Sequence, residues 1–189
     1  PLFARLGIPA RVHAGSFAGR IRGTLSNPSV QGFVQAAGVD TGVIPVDSVS
    51  GSMMADARRV ALSGLDARVA GGRIRGFVEA RLGREKRILV DARADGLLLD
   101  GISGGMASGK VDGNLRLSGP ILALSGRVDF RSRQIQVQNA SVERLDGQLT
   151  LDNGNLQINR IGAVVAGVPV SASGRLGAFR DLDLRVAFS

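Results

Sequence analysis

Groups that hold protons, metals or nucleophiles are scarce in this chain. His13 is the only histidine, there is no cysteine, and no Asp or Glu stands within five residues of His13 on either side. A lone imidazole without a carboxylate neighbour suits neither a metal set nor an acid–base pair, so His13 reads as a surface residue. Zero cysteine removes disulfides, thiolate zinc sites and cysteine nucleophiles together. Asp181 and Asp183 flank Leu182 and share one side of an extended chain, where they either bind a cation weakly or form the ordinary wet face of a sheet; the second reading is preferred. Residues 104–110 match the first seven positions of a phosphate loop, but Val111 stands where the Mg²⁺-binding hydroxyl belongs, and a strand pattern follows instead of a helix. No catalytic residue, metal ligand or cofactor is expected, and the chain is not expected to be an enzyme.

What remains is a pattern. In Gly109-Lys110-Val111-Asp112-Gly113-Asn114-Leu115-Arg116-Leu117-Ser118, Val111, Leu115 and Leu117 fall on one side of an extended chain and the polar residues on the other. Period two marks a strand with one dry and one wet face. Similar runs carry Leu122, Leu124, Val128 and Phe130, then Ile135 and Val137, then Leu149 and Leu151, then Leu156 and Ile158. Val168, Val170 and Leu176 follow, and Leu182, Leu184 and Val186 close the chain. Upstream, the same alternation holds Phe17, Ile21 and Leu25, Val30 and Val34, Val49 and Met53, Val60 and Leu62, and Ile74 and Val78. Two more strands are expected between Leu65 and Leu82. Gly38 to Asp47 reads as loop, and Leu97-Leu98-Leu99 as either strand or a helical turn.

Composition agrees with strands. Hydrophobic residues make up 44% of 189, yet there is no Trp or Tyr and only 7 Phe, against 27 Gly. Branched aliphatics suit a pleated, half-buried surface, and frequent Gly suits turns and bulges. The formal charge of +8 comes from basic residues scattered at outward positions such as Arg20, Arg22, Arg73, Arg75, Lys110, Arg116 and Arg127. No aromatic platform is interleaved with them, so a solvated Arg-rich face is expected and nucleic acid is not. The longest apolar run, residues 161–170, is well short of the roughly 20 residues that a membrane-spanning helix needs. Starting at Pro1 and ending inside an apolar alternation, the chain is expected to be an excerpt of a longer protein.

An internal repeat organises the alternation. Gly19-Arg20-Ile21-Arg22-Gly23-Thr24-Leu25 resembles Gly109 to Leu115, Val46 to Met53 resembles Val142 to Leu149, and Gly72 to Val78 loosely matches Ser171 to Leu176. Gly23 and Gly113, Gly51 and Gly147, and Gly76 and Gly174 lie 90, 96 and 98 residues apart. The expected organisation is residues 1–14 as an edge or linker, 15–106 as a first β repeat and 107–189 as a second.

The recurring unit Gly-x-Ile/Val-x-Gly-x-Leu, a turn Pro, then alternating apolar residues around another Gly stands at Gly19, Ile21, Gly23, Leu25, Pro28, Val30 and Gly32. It stands again at Gly109, Val111, Gly113, Leu115, Pro120, Leu122 and Gly126. In this the chain resembles the TamB/AsmA-like envelope proteins. That resemblance implies an elongated all-β sheet of mostly antiparallel strands curled into an open tube, a β-taco with an apolar concave groove. It also implies a periplasmic place in the cell envelope, anchored to the inner membrane outside this segment, where phospholipid acyl chains pass toward the outer membrane. An outer-membrane barrel of the TamA/BamA type is the implied protein partner. The groove would be lined by Ile21, Leu25, Val30, Val34, Ile74, Val78 and the residues of the later runs named above, from Val111 to Val186. Two other readings stay open: a scaffold that receives strands of nascent outer-membrane proteins at its edges, and a structural β-solenoid of parallel coils packed shut on themselves.

Overall fold

The computed structural model describes residues 11–24, 27–40, 45–120, 123–138, 140–177 and 181–188; at 176, 177, 181, 182 and 184 it describes the backbone. Twelve strands, each paired with the next in sequence, form one sheet in the order β1 to β12. They are β1 (Arg11–Thr24), β2 (Asn27–Asp40), β3 (Pro45–Ala55), β4 (Arg59–Val69), β5 (Gly72–Arg81), β6 (Arg87–Leu98), β7 (Ala107–Pro120), β8 (Ser125–Val137), β9 (Ala140–Asp152), β10 (Asn155–Val165), β11 (Val168–Gly177) and β12 (Asp181–Phe188). Every pair is antiparallel. The sheet is elongated, strongly curled and not closed into a barrel. One helical turn, α1 (Asp100–Ser103), joins β6 to β7.

Tight turns make this meander possible. Ala70-Gly71, Asn153-Gly154 and Ala166-Gly167 each pair a residue at φ 47 to 50° with a glycine at φ 70 to 81°. Two successive left-handed residues are the type I′ turn, whose twist matches that of the strands it joins. Antiparallel hairpins of this kind rule out the parallel coils of the solenoid reading.

The curl has its own cause. In β4, β6, β8 and β10 the register slips by one residue partway along the strand, between Leu62 and Leu65, Ala94 and Leu97, Arg131 and Ile135, and Ile158 and Ile161. Each of these strands thus carries an extra residue, and so do β3 at Asp47 against β4 and β9 between Glu143 and Asp146 against β10. Bulges bend the strand that bears them and strengthen its local twist, so repeating them bends the whole sheet. Gly64 and Gly96, at φ 59° and 65°, occupy two of these bulges, a conformation that costs residues with a Cβ about 1–2 kcal/mol.

The bulges also correct the expected strand limits. Leu65 to Val69 is not a new strand but the second half of β4, because the bulge at Gly64 reverses the phase of the alternation. At Gly38, φ 61°, the phase changes inside β2 without a register shift against β1 or β3, and β2 continues to Asp40 where a loop is expected. Leu97 and Leu98 end β6, and Leu99 precedes α1. Of the strand expected from Leu122, that residue lies outside the described ones, and Leu124 precedes β8, which starts at Ser125; Ala123 N–H donates to the Pro120 carbonyl at 3.0 Å. Arg11 to Ala14 belong to the edge strand β1.

The matched sequence blocks fall on strands six apart: β1 and β7, β3 and β9, β5 and β11. β6 pairs with β7 from Arg87 and Pro120 to Leu98 and Lys110, so the sheet runs without a break across the boundary expected between residues 106 and 107.

Candidate functional site

Following the register from strand to strand shows which residues share a face. Gly19 pairs with Gly32, which pairs with Met53, and the row continues through Leu62, Val78, Val90, Leu117, Gly126, Leu151, Leu156 and Leu176 to Leu182. A second row runs Gly15, Ala36, Val49, Ala67, Ile74, Ala94, Gly113, Phe130, Gly147, Ile161, Ala172 and Val186. Both rows cross all twelve strands, and every member is Gly, Ala, Val, Ile, Leu, Met or Phe. At about 4.8 Å per strand, eleven steps make an apolar path of roughly 50 Å.

The expected groove residues sort onto this face. Leu115, Val128, Leu149, Ile158 and Leu184 lie on a row between the two, Ile21 and Val30 on a row beside the first, and Ile135 in register with Val142 and, through it, with Val165 and Val168. Val34, Val111, Val137 and Val170 take positions of the same phase on β2, β7, β8 and β11. Leu25 and Leu122 lie outside the described residues, and Leu124 sits in the connection before β8. The buried hydrophobic residues Val39, Ala67, Val69, Ala80, Ala92 and Ile135 all belong to the apolar face.

Many members escape a list of large aliphatics. Ala36, Ala67, Ala92, Ala94 and Ala172 continue the rows with small side chains, and Leu65, Val69, Leu97, Ile161 and Ala163 follow bulges that put them out of phase with the start of their strands. Glycine on this face makes room for its neighbours. The Phe17 ring lies over Gly19 and Gly32, the Phe130 ring over Gly147, and the Leu62 side chain over Gly51. Gly15 and Ala36, beside Val49, border a depression of about 510 Å³ shared by β1, β2 and β3.

The opposite face carries the charge, though Phe33, Met54 and Leu89 are exposed on it too. Asp66 pairs with Arg73. Asp95 accepts from Arg75 at 2.6 Å and Arg93 at 2.9 Å, Asp91 from Arg116 at 3.1 Å, and Asp129 from Arg127 at 2.9 Å. Hydrogen bonds from these arginines hold the Asp66, Asp95 and Asp129 carboxyls below the usual aspartate range. Arg73, Arg75 and Arg116 are therefore paired with carboxylates on neighbouring strands, and Arg127 with Asp129 two residues on in β8, instead of standing as isolated solvated cations. Pairs this exposed contribute little each and are screened by salt.

His13 is exposed, its Nδ1 donating to the Gly38 carbonyl at 2.5 Å, and among the described residues no group of three or more His, Asp or Glu is placed to hold a metal. No helix among the described residues is long and apolar enough to cross a membrane.

Fold and face together describe a curled, open antiparallel sheet with one apolar side and one ion-paired side. The chain matches no protein-family model, no curated protein and no solved structure.

Proposed function

We propose that this chain is a segment of a bridge-like envelope protein whose apolar face guides phospholipid acyl chains between two membranes, within the periplasm. The observation that carries the reading is the pair of apolar rows running unbroken from β1 to β12. An apolar sheet face must be covered by a second layer or a ligand, and no second layer lies over it among the described residues. At about 0.8 kcal/mol per buried methylene, a chain of roughly fifteen methylenes would gain on the order of 12 kcal/mol against water. Interchangeable Val, Ile, Leu and Ala along each row keep that gain even, so a sliding chain meets no deep trap.

The test is lipid extraction and native mass spectrometry of the purified protein. Co-purified phospholipid, lost when Leu115→Asp and Val128→Asp are combined but retained in either single variant, is the expected result. A folded protein that carries no lipid and takes up no fluorescent fatty acid overturns the proposal.

A further inference from the structure

Strand ends and connections form two rims along the curled sheet, and around β4 to β6 these differ in charge. One rim holds the β3–β4 connection, Asp56-Ala57-Arg58, and the β5–β6 connection, Leu82-Gly83-Arg84-Glu85-Lys86. The Leu82 N–H donates to the Arg58 carbonyl at 2.7 Å, so the two connections lie side by side. At the strand ends next to them, Arg59, Arg81 and Arg87 stand in register on β4, β5 and β6. Like charges directly opposite one another destabilise a sheet, yet three arginines share this row. On the opposite rim the β4–β5 turn, Ala70-Gly71, has no charge, and residues 99–106 between β6 and β7 carry only Asp100.

Local carboxylates do not neutralise the basic rim. Arg58, Arg59, Arg81, Arg84, Lys86 and Arg87 outnumber Asp56, Glu79 and Glu85 two to one. The Asp56 carboxylate is turned to the backbone, its Oδ1 accepting from the N–H groups of Arg58 and Arg59 at 2.7 and 2.8 Å. Glu79 lies 2.9 Å from Arg81 and 4.0 Å from Arg59, and Glu85 3.8 Å from Arg87. The guanidinium groups of Arg58 and Arg84 pair with no carboxylate among the described residues. One residue inward from the arginine row, Val60, Ala80 and Ile88 form a row of the apolar face. A phosphate held at the arginines therefore stands at the edge of the groove, with acyl chains beginning on Val60, Ala80 and Ile88. Guanidinium matches phosphate with paired hydrogen bonds, and its long apolar stem lets the charged end turn around a strand terminus.

We infer, resting on the acyl-chain reading of the apolar face, that this rim receives the head group of an anionic phospholipid and makes the groove prefer lipids of net negative charge. Fluorescence titration with phosphatidylglycerol and phosphatidylcholine that carry the same dye-labelled acyl chain measures the preference. Phosphatidylglycerol should bind the unaltered protein about tenfold more tightly, since each nearby cation adds to its attraction, and the gap should narrow in high salt. Arg58→Glu combined with Arg84→Glu, exposed positions where circular dichroism verifies the fold, should erase the preference. Arg133→Glu combined with Arg160→Glu removes as much positive charge from exposed positions on β8 and β10 and should keep it. Glycerol 3-phosphate, the head-group chemistry without acyl chains, should compete only in large excess. Equal affinity of the unaltered protein for both lipids, a preference that survives the first double variant or is lost in the second, or competition by glycerol 3-phosphate at the lipid's own concentration overturns the head-group assignment and leaves the acyl-chain reading standing. Binding of neither lipid overturns both.

Discussion

The ring of Phe130 on β8 lies over the α-carbon of Gly147, its register partner on β9, and fills the space that a side chain at 147 would need. Glycine is the residue that lets this aromatic ring lie against the backbone. Gly147→Val is therefore expected to displace the ring and destabilise the sheet by about 1–3 kcal/mol, the usual cost of overpacking. Phe130→Ala should remove most of that penalty. Thermal unfolding of the two single variants and the double variant measures the coupling, and strictly additive losses would refute the contact.

Gly64 and Gly96 test the bulges that bend the sheet. No atom lies within 4 Å of a Cβ built at either position, so alanine there meets no clash and only the left-handed backbone is penalised. Each Gly→Ala change should cost about 1–2 kcal/mol. Asn, which tolerates this conformation, should cost less. Equal losses for Ala and Asn in chemical denaturation would show that the conformation is not what matters.

Ala166 offers the converse. It holds φ 50° at the first position of the β10–β11 turn, where Asn-Gly is the preferred pair. Ala166→Asn is expected to stabilise by about 0.5–1 kcal/mol, raising Tm by roughly 1–4 °C for a chain of this size. Ala70 occupies the same place in the β4–β5 turn but lies close to Gly101 of α1, so the exposed Ala166 is the cleaner site. An unchanged or lower Tm would contradict the turn assignment.

The ion pairs predict a pH dependence of definite sign. Arg75 and Arg93 lower the Asp95 carboxyl in the folded protein, so the unfolded chain takes up its proton first as pH falls. The stabilisation is complete above the unfolded value of about 3.9 and is lost as pH drops through the lowered folded value. Asp95→Asn should therefore shift the urea midpoint downward at pH 7. The gap should close under acid conditions and narrow in high salt; a gap independent of both would assign the effect to packing.

Period-two alternation in Val111-x-x-x-Leu115-x-Leu117, dipeptides such as Asn153-Gly154 and the scarcity of aromatics determined an all-β chain of hairpins, because side-chain period and turn chemistry are local properties. The inventory also determined the face: large aliphatics at period two needed no tertiary information to be assigned to one side. Only the tertiary structure decided how the rows join. The extra residues between Leu62 and Leu65 or Ile158 and Ile161 reverse the local phase, and a phase reversal in a single strand looks the same as the end of one strand and the start of another. A small member such as Ala67, beyond the bulge in β4, became part of the path only through its partners Val49 and Ile74, since pairing across strands is non-local. The pairs of Asp66 with Arg73, Asp95 with Arg75 and Asp91 with Arg116 were likewise invisible to spacing, because the partners lie on neighbouring strands.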